Sequence, residues 1–179
     1  MKAINKLQEG LLDKNIIDLR DEISGDMAEY VREAILYLTI KESPPITIYI
    51  TSGGGHVNAG LAIYDFLRLY PGQKTGIVAG FAKSMATIIL QACDKRQCML
   101  HSNLLIHHIQ RNDVSLDDLR SPEKLKEVRD DLEKSQERLY EILCKKTGQS
   151  REKIKEVCEK DIDMTSEEAF DFGLIDEII

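Results

Sequence analysis

No apolar run in this 179-residue chain approaches the roughly 20 residues that a membrane-spanning helix needs. The opening stretch, MKAINKLQEG, has no apolar region of the kind that marks a secretory signal, so the expected compartment is the cytoplasm. Positive charge is in short supply. Lys and Arg number 24 against 31 Asp and Glu, giving a net charge of −7 and a pI of about 5.2. Nothing forms a basic patch that could neutralise phosphates, which argues against nucleic acid as the main partner. Cysteine is sparse, and Cys93, Cys98, Cys144 and Cys158 fit neither a C-x-x-C zinc knuckle nor a small disulfide framework. Reduced, buried thiols are expected, with no metal and no cofactor. Internal repeats and low-complexity linkers are absent too, so residues 1–179 read as one domain.

What is present is a globular profile, 42% apolar and 31% charged. The order alternates. NIIDL (15–19) reads as a short strand after a brief helix-prone start. DMAEYVREAILYL (26–38) places Met27, Tyr30, Val31, Ala34, Ile35 and Leu38 on one helical face, and SPP ends that helix. ITIYI (46–50) and TGIVA (75–79) read as buried strands, HVNAGLAIYDFLRLY (56–70) as an amphipathic helix, and SMATIILQACD (84–94) as a helix apolar almost all round. QCML (97–100) and LLIH (104–107) complete the alternation, which predicts a largely parallel sheet covered by helices.

The last third differs. Residues 121–148 are highly charged, with a thin apolar stripe of Leu125, Val128, Leu132, Leu139 and Leu143. A helix of about 27 residues is roughly 40 Å long, too long and too polar to bury in a small domain. It is expected to project and meet a partner, most simply another copy of the chain. Beyond it, Thr165 and Glu168 have capping-box spacing, Gly173 sits where a helix-ending glycine belongs, and LIDEII reads as a final strand.

Four segments could carry chemistry. Ser84 follows a strand and opens a helix, a position that suits either an N-cap or an exposed nucleophile. SGGG (52–55) suits a tight turn or an oxyanion hole, and it lacks the lysine and spacing of a P-loop. His107 and His108 fall on opposite faces if the strand alternates, so at most one can serve a given site. Asp161 and Asp163 are two late carboxylates, either of which could orient a histidine. In open α/β sheets such element ends gather into one site.

Several motifs, in order from about Leu11 to the C-terminus, resemble the ClpP family of self-compartmentalised serine peptidases. ITSGGGHVNAGLAIYD is similar to that family's I-N-S-P-G-G-x-x-x-x-G-x-x-I-Y-D, and GFAKSMATIIL to its nucleophile segment. SNLLIHH, TGQS and DIDMTSEEAFDFGLID resemble three further family motifs. The resemblance implies a crotonase-like α/β fold of repeated β-β-α units with a handle at about 109–148. It implies Ser84 as nucleophile, His107 as general base and then acid, and Asp161, rather than Asp163, as the residue orienting the imidazole. Backbone N–H groups of Gly54 and Met85 would form the oxyanion hole. It also implies peptide or unfolded-protein substrates and a chamber of stacked heptameric rings.

The chain departs from the family at Lys83, where alanine is usual, at Phe81, and at Gly53, where proline is usual. HIQRNDVSLDDLRSPEK replaces a glycine-rich strand that pairs with substrate, and few residues precede the first strand. The first of these leaves substrate strand addition open, and the second an AAA+ unfoldase partner. Other readings of the same residues are a non-catalytic structural subunit, a Ser–Lys peptidase of the signal-peptide-peptidase group using a base such as Lys124, and an acyl-CoA enzyme of the crotonase type.

Overall fold

The computed structural model describes residues 6–111 and 114–179. The first five residues, and positions 112 and 113 of the segment after His108, lie outside the described residues. The chain runs α1 (Lys6–Asp13), β1 (Ile16–Ile23), α2 (Gly25–Ile40), β2 (Ile46–Gly55), α3 (Val57–Leu69), β3 (Lys74–Lys83), α4 (Met85–Leu90), β4 (Lys95–Cys98) and β5 (Asn103–Leu105). Then come α5 (Leu116–Arg120), α6 (Pro122–Thr147), α7 (Arg151–Lys160), β6 (Met164–Thr165), α8 (Ser166–Phe172) and β7 (Glu177–Ile178).

β1, β2, β3, β4 and β7 pair in that order, all parallel. The near half of β3 pairs with β4 and its far half, Phe81–Lys83, with β5. β6 then pairs antiparallel with β5. The strands form because β-branched residues alternate between two faces. In β2, Ile46, Ile48 and Ile50 are buried, and the same alternation carries on to Ser52 and Gly54. α2 buries Tyr30, Val31, Ala34, Ile35 and Leu38, the face its sequence spacing predicts, and Ser24 Oγ caps it by accepting from the Met27 N–H. Each such large apolar side chain contributes about 1.5–3 kcal/mol by leaving water. The result is the α/β fold expected from sequence.

Several elements differ from the sequence reading. β2 continues through SGGG, because Gly54 and Gly55 still register with Glu22 and Ile23 of β1 across a bulge. β3 likewise continues through GFAK to meet β5. α4 stops at Leu90, since Gln91, Ala92 and Cys93 switch to i→i−3 hydrogen bonds that tighten the chain into a turn. α7 is an element the sequence reading lacks. Its charged sequence buries only Ile154 and Cys158, one turn apart, and Ser150 Oγ caps it by accepting from the Lys153 N–H.

α6 is the projecting helix. Ser121 caps it, Pro122 occupies its first turn, and Gly148 ends it at φ +73°. Its 26 residues span about 39 Å. Only Leu139, Tyr140 and Leu143 are buried, all in its last third, while Leu125 is 44% exposed. The capping box of Thr165 and Glu168 and the φ +90° of Gly173 bound α8 as their spacing predicts. Buried Arg96 ties the C-terminus down. Its guanidinium forks onto the Asp176 carboxylate and donates to the carbonyls of Gly173 and Lys146. Among the described residues no helix is long and apolar enough to cross a membrane.

Candidate active site

The junction of β3 and α4 bends through Ser84, which holds φ +54° and ψ −124°. A side chain other than glycine is strained there, at a cost of about 1–3 kcal/mol. Ser84 occupies the N-cap position, yet its hydroxyl makes no capping bond. The oxygen lies 2.8 Å from Nε2 of His107. That contact removes the plain-cap reading of Ser84.

The strained turn is held from behind. The Ser84 N–H donates to Leu105 O at 2.9 Å. Oγ1 of fully buried Thr87 lies 2.6 Å from Ala82 O and 2.9 Å from Leu105 O. One hydroxyl therefore joins the end of β3, two residues before Ser84, to the end of β5, two residues before His107. Sequence reasoning counted Thr87 as helix core. A hydroxyl inside an otherwise apolar helix was the available signal.

Gly54 packs directly against the same turn at φ +93°. A Cβ there would sit 2.6 Å from the Ser84 Cβ and 3.0 Å from the Met85 nitrogen, so only glycine fits. Its own N–H donates to Ser52 Oγ at 3.2 Å, a long bond, and Ser52 in turn donates to the Asp21 carbonyl. The Met85 N–H, first in α4, has no acceptor within the helix. The backbones of Gly54 and Met85 thus both lie against the turn at Ser84, with the Gly54 N–H engaged by Ser52.

Asp161 ends α7 in a left-handed conformation, φ +47°, with Oδ1 3.7 Å from Nδ1 of His107. That is ion-pair range but too long for a hydrogen bond, and buried Nδ1 has no hydrogen-bond partner among the described residues. Asp163 is engaged elsewhere, with Oδ2 2.7 Å from Nζ of Lys83. The pair of carboxylates that sequence could not separate by chemistry alone is divided by geometry. Asp161 faces the imidazole and Asp163 holds the lysine next to the serine. His108 points away and meets Tyr140 edge-on, with ring centroids 6.2 Å apart.

A cavity of about 310 Å³ opens at Ser84 and His107. Val57, Met85, Ile88, Ile106, Leu139 and Leu143 give it apolar walls. Gln136 of α6 supplies a polar wall, and its Oε1 accepts the Ile109 N–H at 2.7 Å, fixing the segment just past His107. Sequence reasoning missed Gln136. It sits four residues after Leu132 and three before Leu139, where the apolar stripe of α6 has a gap. None of the described residues in 106–115 forms a strand.

Three of the four thiols are chemically quiet. Burial pushes Cys93 and Cys158 up to about 12 and Cys98 up to about 11, so none is a thiolate at neutral pH. Among the described residues no group of His, Cys, Asp and Glu could hold a metal ion.

A strained serine, a histidine in hydrogen-bond contact with it, paired backbone donors and an adjoining apolar cavity are the parts that acyl transfer by a serine hydrolase requires. A family model described as Clp protease matches residues 2–179, nearly the whole chain. The chain belongs to the Clp protease family, and the match supports a peptidase of the ClpP type.

Proposed function

We propose that the protein is a serine endopeptidase that cuts peptides or unfolded chains through Ser84, His107 and Asp161 inside a homo-oligomeric chamber. The 2.8 Å contact between Ser84 Oγ and His107 Nε2 carries this reading. The Ser84 hydroxyl gives its proton to Nε2 as Oγ attacks the scissile carbonyl carbon. The oxyanion is received by the N–H groups of Gly54 and Met85, and a charge-assisted bond draws the Gly54 N–H from its long contact with Ser52. Such a donor contributes about 3 kcal/mol to lowering the barrier. His107 then protonates the departing amine, and water releases the acyl group by the same path in reverse. Asp161 faces the Nδ1 that becomes charged and closes from 3.7 Å as the imidazolium forms.

The apolar walls of the cavity favour substrates with a large apolar side chain beside the cut. Charge-rich α6, standing off the domain, is the surface on which copies meet. A fluorophosphonate is expected to label Ser84, and Ser84→Ala to abolish both labelling and peptide hydrolysis. Hydrolysis that survives in Ser84→Ala would overturn the proposal. Native mass measured on the labelled sample reports the assembly. Correct assembly without labelling would instead favour a structural subunit.

A further inference from the structure

A second cavity, of about 590 Å³, adjoins the one at Ser84 and shares Val57, Ile109 and Gln110 with it. Its chemistry is opposite. Among the described residues, Lys134, Arg138 and Arg111, the last already engaged in an interaction of its own, line it with one carboxylate, Asp131. Lys134 and Arg138 stand one turn apart on α6, and neither forms an ion pair with any described residue. The opposite wall is the start of α3, where His56 occupies the N-cap and offers no side-chain cap. The amides of Val57 and Asn58 there have no acceptor within the helix, and the helix end carries partial positive charge. Glu22, on that side, lies 3.8 Å from the His56 ring. A basic recess in a chain of net charge −7 runs against the charge of the rest of the molecule.

We propose that this recess is a carboxylate subsite, so that the peptidase of the preceding section selects substrates bearing an acidic group within about three residues, or ~10 Å, of the bond it cuts. The inference rests on that peptidase reading. An extended substrate whose apolar side chain fills the Ser84 cavity continues past Val57 and Ile109 into the recess. There Lys134, Arg138 and the first turn of α3 receive a carboxylate, either an Asp or Glu side chain or the free C-terminus of a short peptide.

The test uses three peptide sequences with the same leucine at the cut, the third in two C-terminal forms. One carries Glu two residues away, one carries Lys there, and one carries a neutral residue with either a free or an amidated C-terminus. The Glu peptide is expected to exceed the Lys peptide in kcat/KM by about 3- to 10-fold, mainly through KM. That ratio should collapse in 0.5 M salt and invert in Lys134→Glu/Arg138→Glu. A preference for the free over the amidated C-terminus identifies a terminal carboxylate as the source. A ratio near one in the wild type, or one unmoved by the double reversal, overturns the subsite. Fluorophosphonate labelling of Ser84 on the same sample does not depend on peptide charge, so labelling without charge preference sinks the subsite and leaves the peptidase standing. If no peptide is cut, anisotropy titration of the same peptides, fluorescently tagged, decides the subsite alone. Charge-selective binding lost in the double reversal supports it, and equal binding or none overturns it.

Discussion

Thr87 and Gly54 do different work for the same serine. Thr87 bridges the ends of β3 and β5, so its loss acts on the distance between Ser84 and His107. Thr87→Val keeps the shape and removes the hydroxyl. It should lower the unfolding free energy by about 1–3 kcal/mol, read by urea titration, and slow fluorophosphonate labelling of Ser84. Gly54→Ala introduces a methyl 2.6 Å from the Ser84 Cβ at a backbone angle that alanine resists. Labelling should fall at least 100-fold while circular dichroism reports a folded chain. Lys83 settles a different question. Its ammonium is committed to Asp163 at 2.7 Å, in a half-exposed pair worth about 0.2–1 kcal/mol. Lys83→Ala is therefore expected to keep labelling within a few-fold of wild type, and His107→Ala to lose it. Activity retained in His107→Ala would instead install a Ser–Lys mechanism with a base such as Lys124. Ser84, His107, Gly54 and the two aspartates were all legible as residues. Which aspartate faces the histidine was not legible from chemistry or local spacing, because Asp161 and Asp163 are two residues apart. Their difference is set by where the left-handed end of α7 aims each side chain.

At the scale of elements, the parallel strands and α2 were legible because their burial follows simple periods. The ends of β2 and β3 were not. Glycines suggest turns, and only the partner strands β1 and β5 reveal that SGGG and GFAK stay extended. α6 was readable in length and in its failure to bury, but not in its contribution of Gln136, Leu139 and Leu143 to the site, since that depends on how its base docks. The helix should therefore respond to substitution in two regimes. Leu143→Ala, at a fully packed position, is expected to cost about 2–4 kcal/mol in urea unfolding. Leu125→Ala, on the free end, should leave the unfolding of the isolated chain within about 0.5 kcal/mol and weaken assembly in native mass measurement.

Across the whole molecule, two buried cations anchor distant parts of the sheet. Lys74 binds Asp94 at 2.9 Å, and Arg96 holds Asp176. For both carboxylates burial pushes the pKa up, but the hydrogen bonds and charge of the partner more than offset it and the result lies below the ordinary value of 3.8. Their stabilisation is complete above about pH 4 and is lost as pH falls through the depressed values. Acid unfolding should therefore steepen below pH 4. Asp176→Asn should flatten that slope while costing about 2 kcal/mol at pH 7, a modest figure because the carboxylate is 40% exposed. The long helix has a mechanical consequence as well. Buried only from Leu139 onward, it is a lever with a ~25 Å outer arm and a ~4.5 Å inner step to Gln136. A swing of about 5° that carries the tip ~2 Å shifts Gln136 by ~0.4 Å along this geometry. Gln136 grips the Ile109 amide two residues past His107, so whatever steadies the tip also sets the fine alignment of the imidazole.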